Sequence, residues 1–247
     1  MSVERESDQE MRVQKFLSRA GVASRRQAEG MMAQGRVRVN GRRVVTPGSK
    51  VIPARDVVEV DGRRVRIDSI RWILLNKPAG LLTTRSDDRG RPTVYSRLDP
   101  ADRSLRYVGR LDRDTEGLLL FTNEGDLIHS LLHPSGEVER EYRALVRGVP
   151  EPEALRRLEE GVELDDGRAR AEDVRLDRRT PQGNSIVRLV LREGRKREVR
   201  RLLAAVGHPV GKLRRVRFGP LRLGRLGLGE WRPLRPEEIE ALRRAVD

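Results

Sequence analysis

Between Val108 and Asp126 the chain reads VGRLDRDTEGLLLFTNEGD, and four consecutive apolar residues, Leu118, Leu119, Leu120 and Phe121, interrupt the charge around them. So short an apolar run, closed by the turn-like Thr-Asn-Glu-Gly-Asp, predicts a buried strand. The same texture recurs along the chain: WILLNK before the Pro78–Gly80 turn and a second short strand in GLLTT at its end, the alternating EREYRALVRG, and NSIVRLVLREG. Helical spacing is confined to short stretches, at EPEALRRLEEGV, KREVRRLLAAVG and the C-terminal RPEEIEALRRAV, with GDLIHSLL stopped by Pro134. Many strands with few, short helices predict an α+β domain over residues 69–247, with a mixed, largely antiparallel sheet. Charged residues make up 36% of the 247 and aromatic residues 3%, so Leu, Val, Ile and Ala have to supply the core.

The formal net charge is +14, and it is not spread evenly. Residues 11–50 hold ten Lys/Arg and one acid, Glu29; residues 188–225 hold thirteen Lys/Arg and two acids, Glu193 and Glu198. Residues 151–180, by contrast, hold ten acids and seven arginines. Single-sign blocks repel themselves and call for a counter-charge, and a polyanion such as nucleic acid supplies one. Phosphate contacts from many arginines give strong, salt-sensitive affinity with little sequence information.

Several function classes fall away. No run of about 18 apolar residues exists to make a membrane span. The opening MSVERESDQE is polar and acidic, which predicts a disordered tail over residues 1–10 and no signal peptide. A cytoplasmic protein is expected. There are no cysteines, hence no disulfides or thiolate metal sites. His129 and His133 stand four apart but without an HExxH pattern, so no metal is expected. No GxGxxG and no P-loop is present, so no cofactor is expected either.

The first basic block has its own punctuation. Val13, Phe16, Leu17 and Ala20 follow helical spacing up to Gly21. Ser24 and Gln27 form a capping box, which starts a second helix near Arg25 that Gly35 closes. RVRVNGRRVV and VVEVDGRRVRI are hairpin patterns turning at Asn40-Gly41 and Asp61-Gly62. This order of helix, helix and hairpin, with arginines outward, resembles the S4 RNA-binding domain over residues 11–68. The resemblance marks Arg12, Lys15, Arg25, Arg26, Arg36 and Arg38 as phosphate contacts.

In the second domain, carboxylates are left as the candidates for chemistry. Asp114 and Glu116 raise the idea of a glycosidase-like carboxylate pair, but Asp112 and Asp114 are expected on opposite faces of a strand, which argues against two acids acting together. GRLDRDTEGLLLFTNEGDL is similar to the active-site motif of bacterial pseudouridine synthases that carry an N-terminal S4 domain and act on ribosomal RNA. Three further stretches agree: LLNKPAGLLTT, with Lys77 to Gly80; EREYRALVRG; and the C-terminal LREGRKREVRRLLAAVGHPVGKLRRVRFGPLRLGRLGLGEWRPL. The run EGRKREVRRLL resembles the large-subunit type B branch most. A small-subunit (16S) enzyme and a non-catalytic ribosome-assembly protein are the alternatives.

The resemblance implies a cofactor-free isomerisation of a flipped uridine to pseudouridine in ribosomal RNA, free or in a pre-ribosomal particle, by a monomer. It implies that Asp112 is the catalytic aspartate, that Arg200 pairs with it, and that Tyr142 covers the uracil. Asp112 acts on the ribose as nucleophile or as base. Arg110, next to the loop, is expected at the flipped nucleotide's phosphate or its vacated place. Lys77, Thr115 and Leu203 are expected around the substrate, and Arg214, Arg215 and Arg217 along the RNA backbone. Two positions depart from the family pattern, Arg140 where lysine is common and Glu198 where many relatives have glutamine.

Overall fold

A computed structural model describes residues 9–246. The expected disordered tail lies outside the described residues up to position 8; Glu10, just after it, pairs with Lys50 at 2.6 Å. The chain divides into two compact units. One runs to Arg71 and takes in Ser104–Arg106 and Asn123–Gly125; the other holds Trp72–Arg103, Tyr107–Thr122 and the chain from Asp126 onward.

In the first unit, strand β1 (Met11–Arg12) leads into helix α1 (Val13–Arg19), and helix α2 (Arg25–Ala33) follows. The capping box is present: Gln27 N–H donates to Ser24 Oγ at 3.2 Å, and Ser24 N–H to the Gln27 side chain at 3.0 Å. Strands β2 (Val37–Val39), β3 (Arg42–Arg43), β5 (Val58–Val60) and β6 (Arg63–Val65) form a sheet in the order β3-β2-β5-β6, and β1 pairs with β4 (Lys50–Val51). Both hairpins turn where expected, with φ 51° and 77° at Asn40-Gly41 and 51° and 76° at Asp61-Gly62. Asn and Asp tolerate this left-handed backbone, and the following Gly adopts it freely. Val13, Phe16, Leu17, Ala28, Met32, Val37 and Val58 close the core. Strands β1 and β4, two residues each, are too short to leave a period in the sequence.

The second unit is built on a nine-stranded sheet. Its strands are β7 (Trp72–Lys77), β8 (Arg106–Val108), β9 (Thr115–Thr122), β10 (Arg140–Val146), β13 (Asp173–Arg179), β14 (Ser185–Leu191), β15 (Val210–Phe218), β16 (Leu221–Arg222) and β17 (Trp231–Pro233). The main path is β13-β14-β10-β15-β9-β7-β17. Strands β15 and β9 run parallel, while β13–β14, β14–β10, β10–β15, β9–β7 and β7–β17 are antiparallel. This is the mixed, largely antiparallel sheet that the sequence implies. A small hairpin, β11 (Val162–Leu164) and β12 (Gly167–Ala169), stands beside it. Helices α3 (Gly125–Leu132), α4 (Pro152–Glu160), α5 (Glu198–Ala205) and α6 (Pro236–Arg244) complete the unit.

Strand β7 is buried at all six residues and β9 at all but Glu116, so the Leu118–Phe121 run is indeed covered on both sides. Two expectations differ. GLLTT makes only the single bridge Leu82↔Thr93 instead of a second strand. Strand β15, whose sequence is VGKLRRVRF, carries no strand signal, because one of its buried positions is an arginine, Arg215, and an irregularity in its pairing with β10 breaks the period of two between the buried Arg215 and Phe218.

Candidate active site

The loop between β8 and β9 is fixed through its backbone. Gly109 turns the chain at φ 67°. The Leu111 carbonyl accepts from Thr83 Oγ1 at 2.7 Å, and the Arg113 carbonyl from Gly80 N–H at 2.7 Å. Beneath them lies Lys77, fully buried. Its ammonium donates to the carbonyls of Thr115 (2.8 Å), Asp112 (3.1 Å), Pro78 (3.1 Å) and Arg113 (3.2 Å). Burial lowers the Lys77 pKa to about 8, against the opposing pull of Asp114, Asp112 and Glu116. The Lys-Pro-Ala-Gly segment is therefore the cradle of the loop. Lys77 was expected at the substrate, but with no exposed surface and its protons given to carbonyls it holds the loop instead.

With the backbone pinned and Leu111 buried, the side chains of Arg113 and Asp114 are exposed and that of Asp112 is partly so. Asp112 keeps 35% of its side chain exposed. Helix α5 and the turn before it bring two guanidinium groups to this point. Arg197 Nη1 lies 3.4 Å from Asp114 Oδ1 and 4.0 Å from Asp112 Oδ2. Arg200, only 9% exposed, places Nη2 3.2 Å from Asp114 Oδ2; it donates to the Asp114 carbonyl at 3.2 Å and to the Val210 carbonyl at 3.0 Å.

Two corrections follow. Arg200 does not pair with Asp112 here: among the described residues its carboxylate partner is Asp114, because its position on the first turns of α5 aims it at the start of β9. And Asp112 and Asp114 are not separated by strand alternation. Strand β9 begins at Thr115, so both aspartates sit in the loop, and both reach Arg197.

Tyr142 is half-buried on β10, packed against the cluster that contains Val199, Leu202 and Leu203. Strand register places it in one row with Arg215, Gly117 and Lys77 across β10, β15, β9 and β7. Two strand spacings, about 10 Å, separate it from β9. The row is tight at Gly117, where φ is 108° and a Cβ would collide with the Arg215 carbonyl.

The other expected contacts divide clearly. Arg110 is exposed beside the loop. Thr115 and Leu203 are buried, at 2% and 0%, and shape the site only from behind. Arg215 is buried too: it donates to the Leu118 carbonyl at 2.8 Å and stacks over Phe218, so it is a sheet residue and not a backbone binder. Arg217 is held by Glu139 and Glu141 at 3.0 and 3.1 Å, and Arg214 is half-buried. In the first unit Arg12, Arg25, Arg26 and Arg38 are exposed and Lys15 half-buried, while Arg36 is clasped by both oxygens of Asp61. Arg140 is buried over Phe218, and its guanidinium donates to the Arg192 and Leu131 carbonyls. Glu198 is buried, which raises its pKa, and it accepts from Arg195 N–H at 3.1 Å.

Thr83 and Arg197 were not singled out in the sequence. Both lie inside the matching motifs, but nothing in one dimension distinguishes Thr83 from Thr84, or Arg197 from its five basic neighbours between Arg192 and Arg201.

Residues 71–205 match the family described as RNA pseudouridylate synthase, and residues 11–54 match the S4 domain. The chain belongs to the RNA pseudouridylate synthase family. It is 41% identical to ribosomal large subunit pseudouridine synthase B of Bacillus subtilis, over 96% of this chain and 97% of that protein. An uncharacterized RNA pseudouridine synthase of Aquifex aeolicus is 44% identical, over 96% and 95%. A crystal structure of a pseudouridylate synthase, 29% identical, superposes with a TM-score of 0.65 over 94% of this chain and 99% of that one. The S4 match falls on the helix–helix–hairpin unit, and the synthase match spans the loop, Tyr142 and α5. Among the described residues of this synthase, no helix is long and apolar enough to cross a membrane.

Proposed function

We propose that this synthase converts one class of uridine in large-subunit (23S) ribosomal RNA to pseudouridine, with Asp112 as the reacting carboxylate. The observation that carries the reading is the loop itself: a backbone held by Lys77, Gly80 and Thr83 that leaves the Asp112 carboxylate partly exposed beside a guanidinium. The type B relatives support the large-subunit target.

The reaction breaks the N1–C1′ bond of uridine and joins C5 to C1′; the proton that leaves C5 is balanced by one gained at N1. Asp112 acts on the ribose in its ionised form, either at C1′ as nucleophile or on a sugar proton as base. A base inside a helix is out of reach, so the nucleotide is flipped, at a cost of a few kcal/mol that loop or bulge RNA lowers. Arg110 holds the phosphate of the flipped nucleotide or fills the place it leaves. Tyr142, with one face in the core and the rest open, covers the uracil. The exposed arginines of the S4 unit, Arg12, Arg25, Arg26, Arg36 and Arg38, and its half-buried Lys15 bind phosphates and make the affinity salt-dependent. The protein acts as a monomer in the cytoplasm.

Asp112→Asn is the direct test. RNA binding is expected to survive while pseudouridine formation is lost; product formed at the normal rate refutes the assignment. Mapping pseudouridines in both ribosomal RNAs, with and without the protein, tests the target. A site lost from the small-subunit RNA refutes the large-subunit reading.

A further inference from the structure

Arg197 has no role in the mechanism above, yet it is the cation that reaches both aspartates. We infer that Arg197 is a positioning residue that keeps the Asp112 carboxylate aimed, and that Asp114 holds Arg197 in place. The inference rests on Asp112 being the reacting carboxylate.

Three observations lead to it. The first is conformational. Arg197 has φ 52°, in the left-handed region. Asn40 and Asp61 share that region but are turn residues suited to it; arginine is not, and such backbone persists only where its surroundings enforce it. Here the buried Glu198 carboxylate accepts from Arg195 N–H, and Arg201 N–H donates to the Arg197 carbonyl at 3.0 Å to start α5. This geometry delivers the Arg197 side chain to the mouth of the loop.

The second is electrostatic. Asp112, Asp114 and Glu116 bring three negative charges to one short segment, and the RNA brings more. Of the nearby cations, Lys77 lies underneath with its protons on carbonyls, and Arg200 is occupied by Asp114 and Val210. Arg110 and Arg113 are exposed on the same loop but have no nitrogen within 4.0 Å of the Asp112 carboxylate, which leaves Arg197, among the described residues, as the cation in contact with it from the open side.

The third is the position of Asp114. Its two oxygens separate the guanidinium groups, Oδ1 toward Arg197 and Oδ2 toward Arg200. It thereby keeps Arg197 from swinging into solvent, where 45% of that side chain already lies.

Arg197→Asn tests the inference, because asparagine accepts the left-handed backbone and carries no charge. Its melting temperature is expected to equal or exceed that of the parent. The single-turnover rate at saturating RNA should fall tenfold or more, with KM within about threefold. Arg197→Lys, which keeps the charge, should recover most of the rate. Asp114→Asn, which also removes the Arg200 ion pair, should slow the parent, and its added loss on top of Arg197→Asn should be smaller than its loss in the parent, since the two share the Arg197–Asp114 contact. A rate for Arg197→Asn within twofold of the parent overturns the inference. So does a loss carried wholly by KM, which would make Arg197 an RNA-backbone contact, or a Lys variant as slow as the Asn one. Asp112→Asn, run alongside, separates the two readings: an active Asp112→Asn refutes the reacting carboxylate, whereas an inactive Asp112→Asn with a normal Arg197→Asn refutes the role of Arg197 alone.

Discussion

Replacing Lys77 with methionine removes the ammonium and leaves a side chain of similar length. The structure allows the effect to be worked out. An ammonium has three protons, so its four carbonyl contacts amount to about three full bonds. Bonds from a charged donor contribute about 1.5–3 kcal/mol each, or about 5–9 kcal/mol in all. Against this stands the cost of burying the charge. The fall in pKa from 10.5 to about 8 corresponds to about 3 kcal/mol. The net loss on substitution is therefore about 2–6 kcal/mol. The Asp112 and Arg113 carbonyls keep Thr115 N–H and Gly80 N–H as partners, so the loop shifts without unravelling. A displacement of about 1 Å at a reacting group costs on the order of a hundredfold in rate. Urea unfolding gives the stability change, and single-turnover pseudouridine formation gives the rate. If Lys77→Met unfolds within about 0.5 kcal/mol of the parent and only KM rises, Lys77 contacts the RNA and the cradle argument fails.

The same lysine sets a pH dependence. Above pH about 8 the amine has two protons to share among the carbonyls, so the rate should decline there in the parent; a rate flat to pH 9.5 would refute this. The sign for stability is opposite. The unfolded chain holds this proton up to about 10.5 and the folded chain releases it near 8, so between those values the group adds stability as pH rises, and the gap in urea midpoint between the parent and Lys77→Met should widen. Gly117→Ala combines a strained φ with a collision at the Arg215 carbonyl, and should cost about 3 kcal/mol or more, read as a lower melting temperature; an unchanged value would mean that β9 and β15 can separate there.

What could be read from the sequence was whatever is written locally. The Ser24–Gln27 box, the Asn40-Gly41 and Asp61-Gly62 turns, and the Gly125–Leu132 helix before Pro134 each depend on residues within a few positions, and each is found in place. The resemblance located the loop and α5 as parts of one site. What it missed depends on contacts between distant segments. Arg215 looks like a surface arginine until Phe218 and the Leu118 carbonyl, 97 positions away, are seen to enclose it. Lys77 looks like a ligand for RNA until four carbonyls are found around its ammonium. The exchange between Arg197 and Arg200 turns on the left-handed backbone at one residue, and no spacing rule predicts that in an arginine.

The place of β15 in the sheet has a consequence for how this protein is made. It lies between β10 and β9 and pairs with both, yet it is synthesised after β7, β9, β10, β13 and β14. As the chain leaves the ribosome, two half-sheets can form, β7–β9 and β10–β14–β13, each with an open edge. Only when Val210–Phe218 emerges can they be zipped together, by contacts that span 64 to 78 residues to β10 and 98 to β9. Such late, long-range closure is slow, and open edges are where nascent chains associate wrongly. The nascent enzyme therefore stays incomplete through most of its own translation, and the last strand to enter the centre of the sheet also closes the row that carries Tyr142.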